Sequence, residues 1–362
     1  MSEVIIIGGG IIGMLTAREL HHAGIDVLVI ERGPLGGESS WAGGGIISPL
    51  YPWRYEDSVN QLAEMSKTIY PGLAQQLQEE SGIDTELITS GLLFVDRDET
   101  DQAIEWAKQW SVNLEVVSGR EQIREIEPQT SESIDAGLWL PEIMQIRNPR
   151  LIKAMKGSMN ALGIKYLEHS PVEGLIVESN KVSGVLTESG PINADQVITA
   201  SGAWTANIVS QVGNVGVEPV KGQMIMFHGQ PGLVKRMVLS GGHYIIPRQD
   251  GRVLAGSTLE KTGFDKAVSE AALEELKQDA INIIPALADM EIERHWAGLR
   301  PGTQKGIPYI CKHPKVEGLY IHAGHYRNGL VLGAASAKLM AEIVLDKPVS
   351  LEPAPYACNA EH

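Results

Sequence analysis

Cysteine, aromatic side chains and basic charge are scarce in this chain. Its 362 residues include two cysteines, three phenylalanines and an aromatic share of 5%. Two thiols, Cys311 and Cys358, cannot build a disulfide framework, which fits a reducing compartment. Neither has a metal-like or nucleophile-like setting; Cys311 reads as buried filler and Cys358 as part of a loose tail. Lys and Arg number 30 against 45 Asp and Glu, giving a formal net charge of −15. Such a surface repels phosphate backbones and anionic headgroups, so neither nucleic acid nor a membrane is an expected partner. No apolar run reaches membrane-spanning length without Gly, Pro or charge. The start, Met-Ser-Glu before the apolar run Val4–Ile7, lacks the basic residues and long apolar segment of a secretory signal, and a cytoplasmic location is expected.

Glycine, by contrast, is abundant at 39 residues without repetition, which favours tight turns and close backbone approach to a ligand. The length allows two domains with substantial cores. Val4–Ile7, three consecutive glycines, a helical pattern over Ile11–His22 and an apolar run over 26–30 closed by Glu31 read as strand, turn, helix, strand. Further helices are expected at 58–78, 101–110, 149–162, 269–284 and 330–345. Strands are expected at 91–96, 165–169, 174–178, 182–187, 194–201, 223–228, 237–239, 243–247, 253–257 and 318–323. Residues 33–58, rich in Gly, Ser and Pro, read as an extended functional segment. The tail beyond Pro348 should be poorly ordered. Nucleotide-type signals lie at the start, middle and end. The expected fold class is therefore α/β, with a Rossmann-type domain assembled from the separated segments 1–80, 146–214 and 316–348. An α+β substrate domain on a mainly antiparallel sheet would take 81–145 and 215–315, leaving 349–362 as a tail.

Gly8-Gly9-Gly10-Ile11-Ile12-Gly13 matches G-x-G-x-x-G directly after a strand and at the opening of a helix, with an acid closing the next strand. Gly8 permits the sharp turn, Gly10 lets the backbone approach a pyrophosphate and Gly13 lets helix and sheet pack closely. The helix start offers free N–H groups and partial positive charge to phosphates. Glu31 suits the ribose hydroxyls and would repel a 2′-phosphate. This motif serves NAD and FAD alike. The strand through Thr199 into Ser201-Gly202-Ala203-Trp204 ends in a small-residue turn, which either passes a bound cofactor or merely packs the sheet. Ala323-Gly324-His325-Tyr326-Arg327-Asn328-Gly329 leads into the last helix. Its N-terminus would stabilise the negative charge of a reduced flavin, the other reading being a capped structural helix.

These three elements, in this order, resemble the D-amino acid oxidase family of flavoproteins over nearly the whole chain, and most closely its glycine-oxidising branch in thiamine biosynthesis. The more specific matches are Ser40-Trp41-Ala42-Gly43-Gly44-Gly45, Tyr244-Ile245-Ile246-Pro247-Arg248, Trp296-Ala297-Gly298-Leu299-Arg300-Pro301-Gly302-Thr303 and Gly324-His325-Tyr326-Arg327-Asn328-Gly329. The resemblance implies a Rossmann-type FAD-binding domain with FAD held non-covalently. Gly8, Gly10, Ile12, Gly13, Glu31 and Arg32 would hold its adenosine half. Ser39, Ser40, Gly44, Gly45, Val172, Gly202 and Trp204 would follow along its length. Arg300, His325, Arg327, Asn328, Gly329 and Leu330 would surround the flavin. It further implies oxidation of glycine, sarcosine and small D-amino acids, by hydride transfer from Cα to flavin N5. The products would be an oxo acid, ammonia and, from oxygen, hydrogen peroxide. Arg300 would bind the substrate carboxylate, Tyr244 would give it a hydroxyl, and Arg327 would lie beside substrate and flavin. Relatives are frequently homo-oligomers, so an oligomer is expected.

Chemistry agrees with these roles. A guanidinium fork matches a carboxylate at two points, and fixing orientation is a large share of catalysis. Arg300, between Gly298 and Gly302 and followed by Pro301, is expected in a turn with its side chain inward. A neutral amine supplies its own lone pair, so no general base is assigned. His228, His243, His295, His322 and His325 show no metal-ligand spacing, and no metal is expected. His325 would meet the flavin through its backbone. The loop 41–55 departs from the Ala-Ala-Gly-Met common in the branch; its Tyr51, Trp53 and Tyr55 either cover the pocket or pack between domains. Two other readings stand beside this one: an FAD-dependent oxidase or dehydrogenase for sarcosine, proline or another D-amino acid, and a non-catalytic flavoprotein assembly partner.

Overall fold

Val4–Ile7 and Val27–Ile30 are short, wholly apolar strands, the pattern of a sheet covered on both faces. They lie side by side inside a six-stranded sheet in the computed structural model, which describes residues 3–362. Across it run Tyr309–Lys312, Leu319–Ala323, Gln196–Thr199, Val4–Ile7, Val27–Ile30 and Lys165–Leu167. All neighbours are parallel except Tyr309–Lys312, which pairs antiparallel with Leu319–Ala323. That strand lies within 215–315, the stretch expected on the substrate side, yet its hydrogen bonds place it in this sheet. The helices Ile11–His22, Asp57–Ser81 and Gly329–Val344 pack together over one face. Gly329–Val344 is rich in Ala, Leu and Gly and buried along most of its length, so it forms the centre of that layer rather than its surface.

The second sheet has eight strands, in the order Glu291–Gly302, Glu218–His228, Arg252–Gly256, His243–Pro247, Met237–Ser240, Leu92–Phe94, Ala136–Leu140 and Glu115–Ser118. Its pairs are antiparallel apart from Met237–Ser240 with Leu92–Phe94. The helix Glu270–Ile283 covers one face, started by the Ser269 side chain accepting the Ala272 N–H and stopped ahead of Pro285. The opposite face buries Phe94, Leu239, Tyr244 and Ile246 with Tyr51 and Trp106. Tyr51 and Trp53 thus pack against the sheet with Phe94, at ring separations of 5.6 and 5.1 Å, instead of covering the cavity described below.

Two expectations are corrected. Arg300 does not sit in a turn: it belongs to the 12-residue strand Glu291–Gly302, whose register sets Val220 opposite Arg300 and Gly222 opposite Gly298. The strand lies at the sheet edge, where exposed Glu291, Glu293 and Arg294 break the apolar pattern and Pro301 is tolerated. The tail is not loose either. Tyr356 is fully buried and donates its hydroxyl to Ser58 O at 2.7 Å, while the His362 ring stacks on Tyr309 with centroids 3.6 Å apart. Among the described residues no helix is long and apolar enough to cross a membrane.

Candidate active site

The first turn after Val4–Ile7 requires glycine. Gly8 has φ +108°, and a Cβ there would lie 2.4 Å from Ala200 O; one on Gly13 would lie 1.9 Å from Gly8 O. Glu31 takes the Gly9 N–H at 2.8 Å and the Gly33 N–H at 2.9 Å, and its carboxylate borders the cleft. Ser40, in the short helix Ser39–Ala42, accepts the Ile11 N–H at 2.9 Å and ties the Gly-rich segment to the helix start. At the mouth the Arg32 guanidinium lies 3.6 Å over the Trp204 ring, with Phe264 stacked on Trp204 at 5.3 Å. Glu38 joins this edge through Arg32 at 2.6 Å and Lys266 at 3.0 Å.

One cleft, with a cavity volume of about 460 Å³, connects these groups to the second sheet. Gly8, Gly10, Ile12, Glu31 and Arg32 line one end; Ser39, Ser40, Gly44, Gly45, Val172, Gly202 and Trp204 line its length. Arg300, Tyr244, His325, Arg327, Gly329 and Leu330 surround the other end. Gly13 and Asn328 act from behind the wall. Gly13 closes the helix–strand contact, and Asn328 is buried at the start of Gly329–Val344 with its amide Nδ2 unpaired among the described residues.

At the sheet end, Tyr244, Gly256, Met224 and Trp296 form one row across four strands. With no side chain on Gly256, the Tyr244 hydroxyl reaches Met224 Sδ at 3.4 Å. The Arg300 guanidinium lies over Gly222, where a Cβ would come within 2.3 Å of three of its atoms. Its Nη1 donates to Lys221 O and Thr258 O, each at 3.2 Å, and its Nη2 to Ser257 Oγ at 2.6 Å. All three acceptors are neutral. Burial pushes the Arg300 pKa down, nearby Tyr244 opposes this, and Arg327 adds to the lowering by like charge. Arg248 is a structural counterpart: buried, it donates to Gly44 O at 2.7 Å, Gln145 Oε1 at 2.8 Å and Ile146 O at 3.2 Å, which pins the Gly-rich loop. Its burial pushes its pKa down to about 10.

His325 bonds Ser336 Oγ through Nε2 at 3.0 Å, and burial pushes it down to about 3, so its ring is neutral near pH 7. His322, on Thr16 Oγ1 at 3.0 Å, is lowered by burial and by neighbouring His325. Neither is an acid at neutral pH. His243 gathers Glu275 and Asp279 within 4.8 Å, outside the cleft, and its 2.9 Å contact with Asp279 accounts for that group. Sequence reading missed Gly222, Met224 and Ser257, and Asn148, which lines the cleft and donates its amide to Ser40 O at 2.8 Å. The facing of Gly222 and Gly298 is visible only once Glu291–Gly302 is recognised as a strand.

Comparison with known proteins gives a consistent result. The family model described as FAD dependent oxidoreductase (DAO) matches residues 3–343. The chain is 43% identical over 360 residues to a glycine oxidase of Pseudomonas aeruginosa, covering 99% of each. It is 30% identical over 356 residues to a bifunctional protein ThiO/ThiG of Synechocystis, covering 96% of this chain and 52% of that protein. The crystal structure of glycine oxidase from Geobacillus kaustophilus superposes with a TM-score of 0.94 at 29% identity, covering 100% of this chain and 99% of that one.

Proposed function

The chain belongs to the FAD dependent oxidoreductase (DAO) family, and from that premise we propose that it oxidises glycine and other small amino acids to the oxo acid, ammonia and hydrogen peroxide. The observation carrying this reading is the Arg300 guanidinium, which faces the cleft with neutral acceptors only, in a chain of net charge −15. A desolvated cation without an acid calls for an anionic ligand. The carboxylate of a small zwitterion fits that demand.

The cleft residues suit FAD. Gly8 and Gly13 leave no room for a side chain against the neighbouring backbone, Glu31 borders the ribose end, and the unpaired Asn328 amide lies at the start of a buried helix beside the flavin end. When bound, FAD would supply the acceptor for the electron pair leaving the substrate Cα. The protein's part is orientation. Arg300 holds the carboxylate by its fork, and Ser257 with the two carbonyls fixes the plane of that fork. The Tyr244 hydroxyl, whose contact within the protein is a weak thioether acceptor, turns to the same carboxylate. Arg327 flanks the site and raises the positive field that attracts it. Gly44 packs so close to Tyr244 and Ile246 that a side chain there would meet both.

On this reading the dinucleotide segments carry the cofactor and the eight-stranded sheet carries the substrate. Its similarity to a bifunctional ThiO/ThiG protein supports service to thiamine (thiazole) biosynthesis in the cytoplasm. A homo-oligomer is expected. The purified protein should be yellow and make peroxide and glyoxylate from glycine; absence of peroxide at every glycine concentration overturns the reading. A panel of sarcosine, proline and small D-amino acids, run with oxygen and with an artificial acceptor, separates oxidase from dehydrogenase.

A further inference from the structure

The chain's only two cysteines are brought together. Cys311 is buried in Tyr309–Lys312, and Cys358 is half-buried in the tail, yet their sulfurs lie 2.6 Å apart across a sequence separation of 47. The contact is held from both sides. Before Cys358, Tyr356 is fully buried on Ser58; after it, His362 stacks on Tyr309, and Glu361 pairs with Lys305 at 2.6 Å. The chain between the sulfurs includes Leu319–Ala323, the His325–Asn328 turn and Gly329–Val344, which border the cofactor cleft.

We propose that Cys311 and Cys358 are a peroxide-responsive thiol pair whose oxidation to a disulfide fastens the tail to the cofactor domain. The sulfur–sulfur contact holds the Cys358 thiol below its ordinary value and, with burial, Cys311 above it, so Cys358, the more exposed sulfur, is the one that meets peroxide first. The Cys358 thiolate attacks hydrogen peroxide; the O–O bond breaks, sulfur loses two electrons, and sulfenic acid and hydroxide form. The Cys311 proton goes to that hydroxide, giving water. The Cys311 thiolate then attacks the Cys358 sulfur, the S–S bond forms and the S–O bond breaks, releasing a second water after protonation. The oxidant is the product of the proposed reaction, so the link to turnover rests on that reading.

Reduced holoenzyme is treated with reagent hydrogen peroxide, with glycine in air, or with glycine plus catalase. Free thiols are then alkylated and the protein digested without reductant for mass spectrometry. The expected result is a linked Cys311–Cys358 peptide, lighter by two hydrogens, after the first two treatments and strongly reduced by catalase. The linked form should melt higher, by on the order of 5 °C, and a dithiol reductant should abolish the gain. Cys358→Ser and Cys311→Ser, each judged by unchanged flavin content, should give neither link nor shift. Two alkylatable thiols remaining after reagent peroxide overturn the proposal, as does oxidation to sulfinic acid without a link. A link with reagent peroxide but none with glycine supports the thiol pair and counts against the amino acid oxidase reading instead.

Discussion

At the scale of single residues, the site is defined by what surrounds Arg300. Arg300→Ala should weaken substrate binding by about 2–5 kcal/mol, the range for truncating one partner of a desolvated charge pair, while flavin stays bound. Steady-state KM and substrate titration of the flavin spectrum check this; wild-type affinity in the variant would misplace the carboxylate. Gly222→Ala is a sharper probe. The three atoms nearest its new methyl all belong to the flexible end of Arg300, so the fold should hold while the guanidinium is pushed off its three acceptors. We expect a fall in kcat/KM of at least tenfold with an unchanged melting temperature, equivalent to ~1.4 kcal/mol of lost transition-state binding. Arg300 and Tyr244 could be singled out in the sequence because their neighbours match a family. Ser257 and Met224 could not, since a serine after a strand and a methionine within one carry no pattern of their own.

At the scale of elements, legibility followed burial. The opening strand and Gly-rich turn and the last helix, Gly329–Val344, are nearly all apolar or glycine and were readable at once. Glu291–Gly302 was not, because an edge strand turns one face to water and its charges mask a period of two. Glu115–Ser118 and Ala136–Leu140 were missed in a stretch where short strands adjoin the small helix Arg120–Ile126. Arg248 shows how one side chain joins elements: it links His243–Pro247, just before it, to the Gly44 loop and to Gln145. Arg248→Met should leave buried carbonyls unpaired and cost roughly 1–3 kcal/mol for each one that water cannot reach. Chemical denaturation measures that loss, and flavin release at lower denaturant than global unfolding would show that the loop opens first.

At the scale of the whole molecule, two buried imidazoles tie stability to pH. Unfolded, His322 and His325 titrate near 6.5; folded, burial holds His325 at about 3 and His322 well below its ordinary value. Between those values the unfolded chain binds protons that the folded chain does not. Stability present above about pH 6.5 is therefore lost as pH falls toward 3, by up to about 1.4 kcal/mol per pH unit for each histidine. Melting temperatures from pH 7 to pH 5 should fall, and His325→Asn should flatten the decline; an identical slope in the variant would remove His325 from the account. The presence of two large sheets was legible because glycine motifs punctuate the chain, but Tyr309–Lys312 pairs in the sheet opposite to the one expected since pairing partners leave no mark in a short strand. The order of strands in the six-stranded sheet has a consequence for synthesis. Val4–Ile7 and Val27–Ile30 are made early, but Leu319–Ala323 and the helix packed on Ile11–His22 emerge from the ribosome after every other strand of either sheet. The nascent polypeptide must therefore carry an uncovered apolar layer until those two elements have emerged, and flavin capture waits for them.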